Sequence, residues 1–510
     1  MLPVSLAAMI NDLASNGWTL HWANPSTLGA DLPEWRAGDR KRATDGLMLG
    51  EKRFPVFIGP DGWPDRDLLR FATRGWLRPK SLTTKRSYAI DIRVWLQYLH
   101  VACNGKHWLD ADVEDTLDFH YWRTREAANR GRVFGDDAAR GLSALVLLYG
   151  WAMAEGLIDA SPIRQRRSPS GKRLTTVQQP RNAGHHDVKW LTRRAFDRWK
   201  RVGFEGYDAA GMPRSANRVR TQSRNVAFAN LLYATGLRRA EGGALLDVEI
   251  PVPTGEERLL SGDVASGIAK YRKRRKFYLE RTHLRTVEDY IRFERAGAVH
   301  VANERGLYER LPGRLVVTGI VGSGKDRVVT YQDEQGRVTR QRLDLLDAGI
   351  RARLLRKTPQ GWQPLWLWLT ETGLPFEVDS WNKTFEQASR RCQVAGVDLD
   401  VTPHMLRHSY ALHMLVQAQR AFLLRTGLTA DERTRYQRLF GNVWELVRDL
   451  LGHASVETTR KYYLEPVRGL QLDLLLTAAA DSPVTEVDAV IARIGSESGL
   501  VQDVPEEPTS

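Results

Sequence analysis

The sequence predicts a mainly α-helical protein with a small β-sheet, divided into two principal domains. Three observations carry that prediction. Apolar residues recur at helical spacing on both sides of residues 160–186. Short β-type runs occur only in the second half, around a turn crowded with basic residues. Between Asp159 and Asp187 there is no acid, and Pro162, Pro169, Gly171 and Pro180 punctuate the stretch, as in an extended linker.

Residues 1–74, rich in Trp, Pro and Gly, are an N-terminal extension or subdomain that the pattern does not place. Tyr88, Ile92, Trp95 and Leu99 follow at i, i+4, i+7 and i+11, the stripe of an amphipathic helix that Thr83 or Thr84 could cap. A second helix is expected over Val113–Trp122. A third carries Leu142, Leu145, Leu148, Tyr149 and Ala152 and stops at Gly156. Residues 75–160 therefore form a small helical domain, followed by a basic linker over 161–186.

Past the linker, Thr192 opens a helix and Val226–Thr235 forms another, closed by Gly236. Gly267–Lys270 and Lys276–Leu279 read as short strands around a basic turn. Leu315–Thr318 and Arg327–Tyr331 add β character, and helices return from Pro364 to about Leu474. The second domain spans 187–480. The tail over 481–510 is acidic and expected to be disordered.

The 510 residues are 42% hydrophobic and 27% charged, a globular balance with material for a sizeable core. No run approaches eighteen apolar residues, and the N-terminus lacks the cationic start of a secretory signal. Cys103 and Cys392 could form one disulfide at most, so a reducing cytoplasm is the expected compartment, with nucleoid association in a prokaryote. Lys and Arg number 75 against 61 acids, a net +14. The tail holds seven acids and one Arg, so residues 1–480 carry about +20. Such an excess suggests a polyanion, most simply nucleic acid. A second acid-free window, between Asp208 and Glu241, and six basic residues within Lys270–Lys276 strengthen that reading.

Three local constellations carry chemistry. In Thr235-Gly236-Leu237-Arg238-Arg239-Ala240-Glu241, the i,i+3 spacing lets Glu241 orient the Arg238 guanidinium, although such a pair taken alone is more often a surface contact. In Thr402-Pro403-His404-Met405-Leu406-Arg407-His408, Thr and Pro open a helix whose first turn presents His404 and Arg407, as an anion site would. His404 and His408 could share a metal, but no intervening Glu or third ligand is evident, so no metal is expected. The third is Leu451-Gly452-His453 followed by Tyr462, nine residues after His453. Gly319–Asp326, by contrast, is one residue short of a phosphate-binding loop. Asp326 stands where a hydroxyl must meet Mg²⁺, so an NTPase is not expected. A basic loop or hairpin near the DNA is.

With these boxes in this order, the chain resembles the tyrosine recombinases of the phage integrase family. That resemblance implies a helical, SAM-like core-binding domain over 75–160 and a mixed α+β catalytic domain over about 185–475. It implies a nucleophile at Tyr462, catalytic phosphate contacts from Arg238 and Arg407, catalytic His404 and His453 that hydrogen-bond the phosphate or assist proton transfer, and support from Glu241. Lys270 matches the family's catalytic lysine, with Lys273 in reserve because the basic run blurs the register. Tyr463, the neighbour of Tyr462, points about 100° away on a helix. Two departures stand out: the 49-residue separation of His404 and His453, with an insertion near 417–438, and an insertion near 295–360.

The expected function is site-specific DNA recombination, of the integrase or transposase type, with no cofactor. The alternatives are a topoisomerase-like strand relaxer and an inactive DNA-binding relative. The expected partner is double-stranded DNA, clamped by the two domains. The protein would be monomeric when free and tetrameric on two sites, with accessory proteins possible. Arg164, Arg166, Arg167, Lys172 and Arg173 of the linker and Arg272, Lys273 and Arg275 of the basic turn are the expected DNA contacts.

Overall fold

The computed structural model describes residues 17–23, 53–167, 174–176, 189–213, 221–426, 443–451 and 501–502. Its chain falls into two units, Met1–His185 and His186–Ser510.

In the first unit, β1 (Thr19–Ala23) pairs antiparallel with β2 (Phe54–Ile58), and α1 (Arg66–Thr73) follows. The long helix α2 (Leu82–Ala102) starts two or three residues earlier than expected. Ser81 caps it, its hydroxyl accepting from the Thr84 amide at 3.2 Å. Helices α3 (Val113–Thr124) and α4 (Gly135–Ala154) complete the set, and Gly156 takes a φ of 69° just past α4. The apolar stripes meet in one core. Trp95, Leu99, Trp122, Leu145, Leu148 and Tyr149 are buried, and the Tyr149 hydroxyl links the Trp95 indole N–H at 2.8 Å to the Trp108 carbonyl at 2.9 Å. Phe57, Leu68, Phe71 and Ala72 share this core, so the described part of the N-terminal extension is built into the helical unit.

The linker is less extended than its composition suggested. Ile163 is anchored in the first core, and β3 (Gln165–Arg167) pairs antiparallel with β4 (Leu174–Thr176) in a short ribbon.

The second unit opens with β5 (Trp190–Leu191) and α5 (Arg193–Gly203), capped by Thr192. Helix α6 (Gln222–Thr235) ends at Gly236, whose φ of 63° makes it a left-handed stop. A five-residue helix, α7 (Arg239–Gly243), precedes the antiparallel hairpin of β6 (Leu259–Val264) and β7 (Arg275–Glu280). This corrects the expected strands. Gly267–Lys270 is not extended, because the Ile268 and Ala269 amides both donate to the Ala265 carbonyl, at 3.2 and 3.0 Å, and curl the segment into a turn. Helices α8 (Arg281–Tyr290) and α9 (Ala296–Glu304) are joined by a π-helical turn.

The segment read as an insertion near 295–360 contains most of a five-stranded sheet. Its strands are β8 (Leu315–Val321), β9 (Val328–Gln332), β10 (Val338–Arg342), β11 (Leu354–Thr358) and β12 (Gly361–Pro364), in the order β10-β9-β8-β11-β12. Only β8 and β11 run parallel. Pro364, expected to begin the helical return, closes β12 instead; the next helix is α10 (Ser380–Val394). The near-phosphate-loop sequence is the β8–β9 hairpin, not a nucleotide cradle.

Helices α11 (Pro403–Thr426) and α12 (Val443–Leu451) follow. The acidic tail carries a correction as well. Val501–Gln502 forms β13, in parallel register with Trp190–Leu191, and the Thr192 amide donates to the Gln502 carbonyl at 3.2 Å. The unit has two main cores. One stacks Phe228 on Trp381 at 3.6 Å, with Trp199, Trp368 and Phe385 around them; the other lies under the five-stranded sheet. Cys103 and Cys392 are free thiols. Among the described residues, no helix is long and apolar enough to cross a membrane.

Candidate active site

The Arg238 box folds on itself. Glu241 sits one turn into α7, so its carboxylate reaches back to the Arg238 amide at 2.9 Å and the guanidinium at 2.8 Å. Glu241 is buried while the Arg238 side chain is one-fifth exposed, which leaves the cation facing outward from its anchor.

A second arginine completes the anchor. Arg275, at the start of β7, forks onto Glu241 at 2.9 and 2.5 Å and donates to the Leu450 carbonyl at 3.2 Å. Its side chain is only 6% exposed. The expected DNA contact at Arg275 is thereby corrected. The bidentate pairing and the desolvated pocket commit its charge to the protein. Burial would raise the Glu241 carboxyl, but the hydrogen bonds and charge of Arg275, with Arg238 and Arg407 nearby, outweigh it and hold the group at about 2.

Arg407 enters from the first turns of α11. The Thr402 hydroxyl accepts from the Met405 amide at 3.3 Å, fixing the helix start next to Pro403. Arg407 is buried and donates to the Gly236 carbonyl at 2.5 Å and to the Leu451 carbonyl. The two boxes, 166 residues apart in sequence, therefore share a contact through Gly236. A Cβ at Gly236 would lie 2.3 Å from the Tyr410 ring, so the close approach requires glycine as much as the left-handed φ does. Burial pushes the Tyr410 phenol up to about 12 despite the opposing pull of Arg275 and Arg407. His404 is exposed and meets the buried His408 edge-on at 4.2 Å between ring centroids.

Lys270, Tyr271, Arg272 and Lys273 form the exposed turn of the β6–β7 hairpin. Tyr271 and Arg272 have φ values of 61° and 53°, left-handed conformations that cost free energy without glycine. The Lys270 ammonium lies 5.1 Å from the Tyr271 ring centroid. Arg275 ties this hairpin to Glu241 and so to the Arg238 box.

His453 and Tyr462 lie outside the described residues, as do Lys172 and Arg173; α12 ends two positions before His453. Arg164 is exposed, and Arg166 and Arg167 lie on β3. Arg224, from the second basic window, is buried, bonded to the Leu369 carbonyl at 2.8 Å and packed 3.9 Å from the Phe376 ring centroid. Sequence reasoning missed the role of Arg275, which no local pattern marks because its partner Glu241 lies 34 residues upstream. It also missed Tyr410, two turns from His404 on the helix face that meets Gly236.

The second unit thus brings Arg238, Arg275 and Arg407 together around Glu241, with the Lys270 hairpin tied to them through Arg275. The model of the phage integrase N-terminal SAM-like domain matches residues 77–156. Tyrosine recombinase XerD of Mycobacterium leprae is 27% identical over 335 residues, covering 66% of this chain and 71% of that protein. XerD of Mycobacterium tuberculosis is 39% identical over 77 residues, 15% of this chain and 17% of the relative. The chain is a tyrosine recombinase homologue. Among solved structures, it is similar to XerH recombinase bound to difH substrate, with TM-score 0.39 and 15% identity, covering 77% of this chain and 80% of that one. It is also similar to the Tn1549 transposon integrase with circular intermediate DNA, with TM-score 0.38 and 12% identity over 75% and 95% of the two chains.

Proposed function

We propose that the chain cuts and rejoins DNA at specific sites through a 3′-phosphotyrosyl link to Tyr462, working on double-stranded DNA as a tetramer assembled on two sites. The observation that carries this is the convergence on one carboxylate: Arg238, Arg275 and Arg407 all act on Glu241, and Arg275 joins the Lys270 hairpin to them.

The chemistry follows from the parts. The Tyr462 hydroxyl passes its proton to His404 or His453 and attacks the phosphorus, the bond to the 5′-oxygen breaks, and Lys270 supplies the proton that the departing oxygen needs. Arg238 and Arg407 offset the charge on the two non-bridging oxygens, with Glu241 and Arg275 holding Arg238 in place. For Arg407 this requires its guanidinium to exchange a carbonyl partner for a phosphate oxygen. His404 and His453 hydrogen-bond the phosphate or relay protons. In the reverse step a 5′-hydroxyl attacks the phosphotyrosine, so the strand is resealed without ATP. Arg272, Lys273 and the linker cations Arg164, Arg166, Arg167, Lys172 and Arg173 bind backbone phosphates, which positions the duplex and makes affinity salt-dependent.

The test is to recover covalent protein–DNA adducts from cells and map the attached segment. A nicked duplex carrying that segment should trap the wild-type protein and the Tyr463→Phe variant, while Tyr462→Phe binds without forming an adduct. An adduct that persists in Tyr462→Phe and disappears in Tyr463→Phe would move the nucleophile.

A further inference from the structure

The five-stranded sheet lies outside the catalytic boxes, yet it grips the base of the Lys270 turn. The contact is made by Asp344, in the tight turn just after β10. Its carboxylate accepts from the Ser266 amide at 3.0 Å and from the Ser266 hydroxyl at 2.9 Å. Its backbone carbonyl accepts from the Gly267 amide at 2.8 Å and lies 3.0 Å from the same hydroxyl. The approach is close enough that a Cβ on Gly267 would lie 2.2 Å from the Leu346 carbonyl oxygen. Lys270 follows three residues later, after the single helical turn closed on Ala265.

The segment that carries Asp344 is itself fixed. Arg351 is fully buried and donates to the Leu343 and Leu346 carbonyls at 3.1 and 2.9 Å. It also forks onto Glu249 at 2.7 and 3.0 Å and reaches the Ala244 carbonyl at 3.3 Å, immediately past α7. The turn is thus held at both ends and referred twice to the Arg238 box. Arg275 and Glu241 hold its exit; Asp344, through Arg351, holds its entry. Between these anchors Tyr271 and Arg272 keep left-handed backbone angles, which persist only where the surroundings impose them.

We propose that Asp344 is a positioning residue for Lys270: the inserted sheet sets where the lysine ammonium stands. This rests on the reading of Lys270 as proton donor to the leaving 5′-oxygen. A displaced donor costs rate in proportion to its misplacement, and errors of about 1 Å can cost on the order of a hundred-fold.

The experiment uses the full chain and two nicked duplexes built on the mapped segment, one with oxygen and one with sulfur at the bridging 5′ position. Sulfur leaves with little protonation, so it bypasses the donor. Asp344→Ala should slow cleavage of the oxygen substrate by about ten-fold or more and recover most of the rate on sulfur, as Lys270→Ala does. Asp344→Asn, which keeps an acceptor for the Ser266 amide, should fall between. Ser266→Ala, the milder variant if Asp344→Ala unfolds, should show a smaller loss with the same recovery. Unchanged cleavage of the oxygen substrate, or an equal loss on both substrates while Lys270→Ala recovers on sulfur, would overturn the positioning role alone. If Lys270→Ala itself stays slow on sulfur, the donor assignment falls and this proposal falls with it.

Discussion

The Arg238 box and the Lys270 turn are built on opposite principles. In the box, a buried carboxylate holds the Arg238 amide and guanidinium three residues away and Arg275 on the neighbouring strand. In the turn, four consecutive exposed residues include two with left-handed angles, and order is imposed from the ends. The difference matches what the proposed reaction would ask of each. A charge-stabilising group works by standing still before the charge arrives, whereas a proton donor must reach a departing oxygen at the surface. Prearranged charge is expensive to disturb, whereas an exposed lysine is structurally cheap to replace.

Breaking the box should therefore give the larger stability effect. Glu241→Ala leaves Arg275 buried without its anion, and loss of one partner from a buried ion pair costs about 3–5 kcal/mol. Urea unfolding of the catalytic unit should show that loss, whereas Lys270→Ala should leave the midpoint within about 0.5 kcal/mol while eliminating most cleavage. Equal midpoints for the two variants would erase the contrast.

Acid should dissect the same pair of regions. The Glu241 carboxyl titrates lower in the folded protein, at about 2, than in the unfolded chain near 4.5. Its contribution, about 3 kcal/mol from the size of that shift, is fully present above pH ~4.5 and lost as pH falls through the folded value. In the Glu241→Gln variant, the stability profile between those limits should flatten. A wild-type slope surviving in the variant would assign the acid sensitivity to other carboxylates.

The smallest effect sharpens the picture of the turn. Tyr271→Gly relieves a left-handed conformation that costs a tyrosine about 1 kcal/mol, so part of that should return as added stability, less the entropy glycine brings to the unfolded chain. A net loss would show that the Tyr271 ring stabilises the turn by more than its backbone strains it.

What could be read from the sequence follows the range of the interactions. The Arg238–Glu241 pair, the Gly236 stop and the Thr402–Pro403 helix start are local, so spacing alone predicted their geometry. Arg275 was misassigned because its partner lies 34 residues upstream and a basic run looks the same whether solvated or buried. The strand expected at Gly267–Lys270 failed for a related reason: the carbonyl that curls it is local, but the Asp344 contact that stabilises the curl comes from 78 residues away. Phe57, Leu68 and Phe71 gave residues 1–74 a place only once the helical core they enter was visible. The five-stranded sheet was announced by scattered β-type runs, while its order, with a single parallel pair, is a property of the assembled chain.

The pairing of Val501–Gln502 with Trp190–Leu191 brings a late part of the chain beside the first strand of the catalytic unit, at the roughly 4.8 Å spacing of neighbouring strands. Residues 190–191 and 501–502 are thus neighbours in space. A polypeptide of this kind can be rejoined across that gap and reopened at an exposed loop elsewhere without asking any core residue to move. The tip between β9 and β10, where Gly336 makes the turn, is such a loop. A circularly permuted unit opened there would place the Arg407 box ahead of the Arg238 box and the lysine hairpin in the chain, and would leave β9 and β10 each whole.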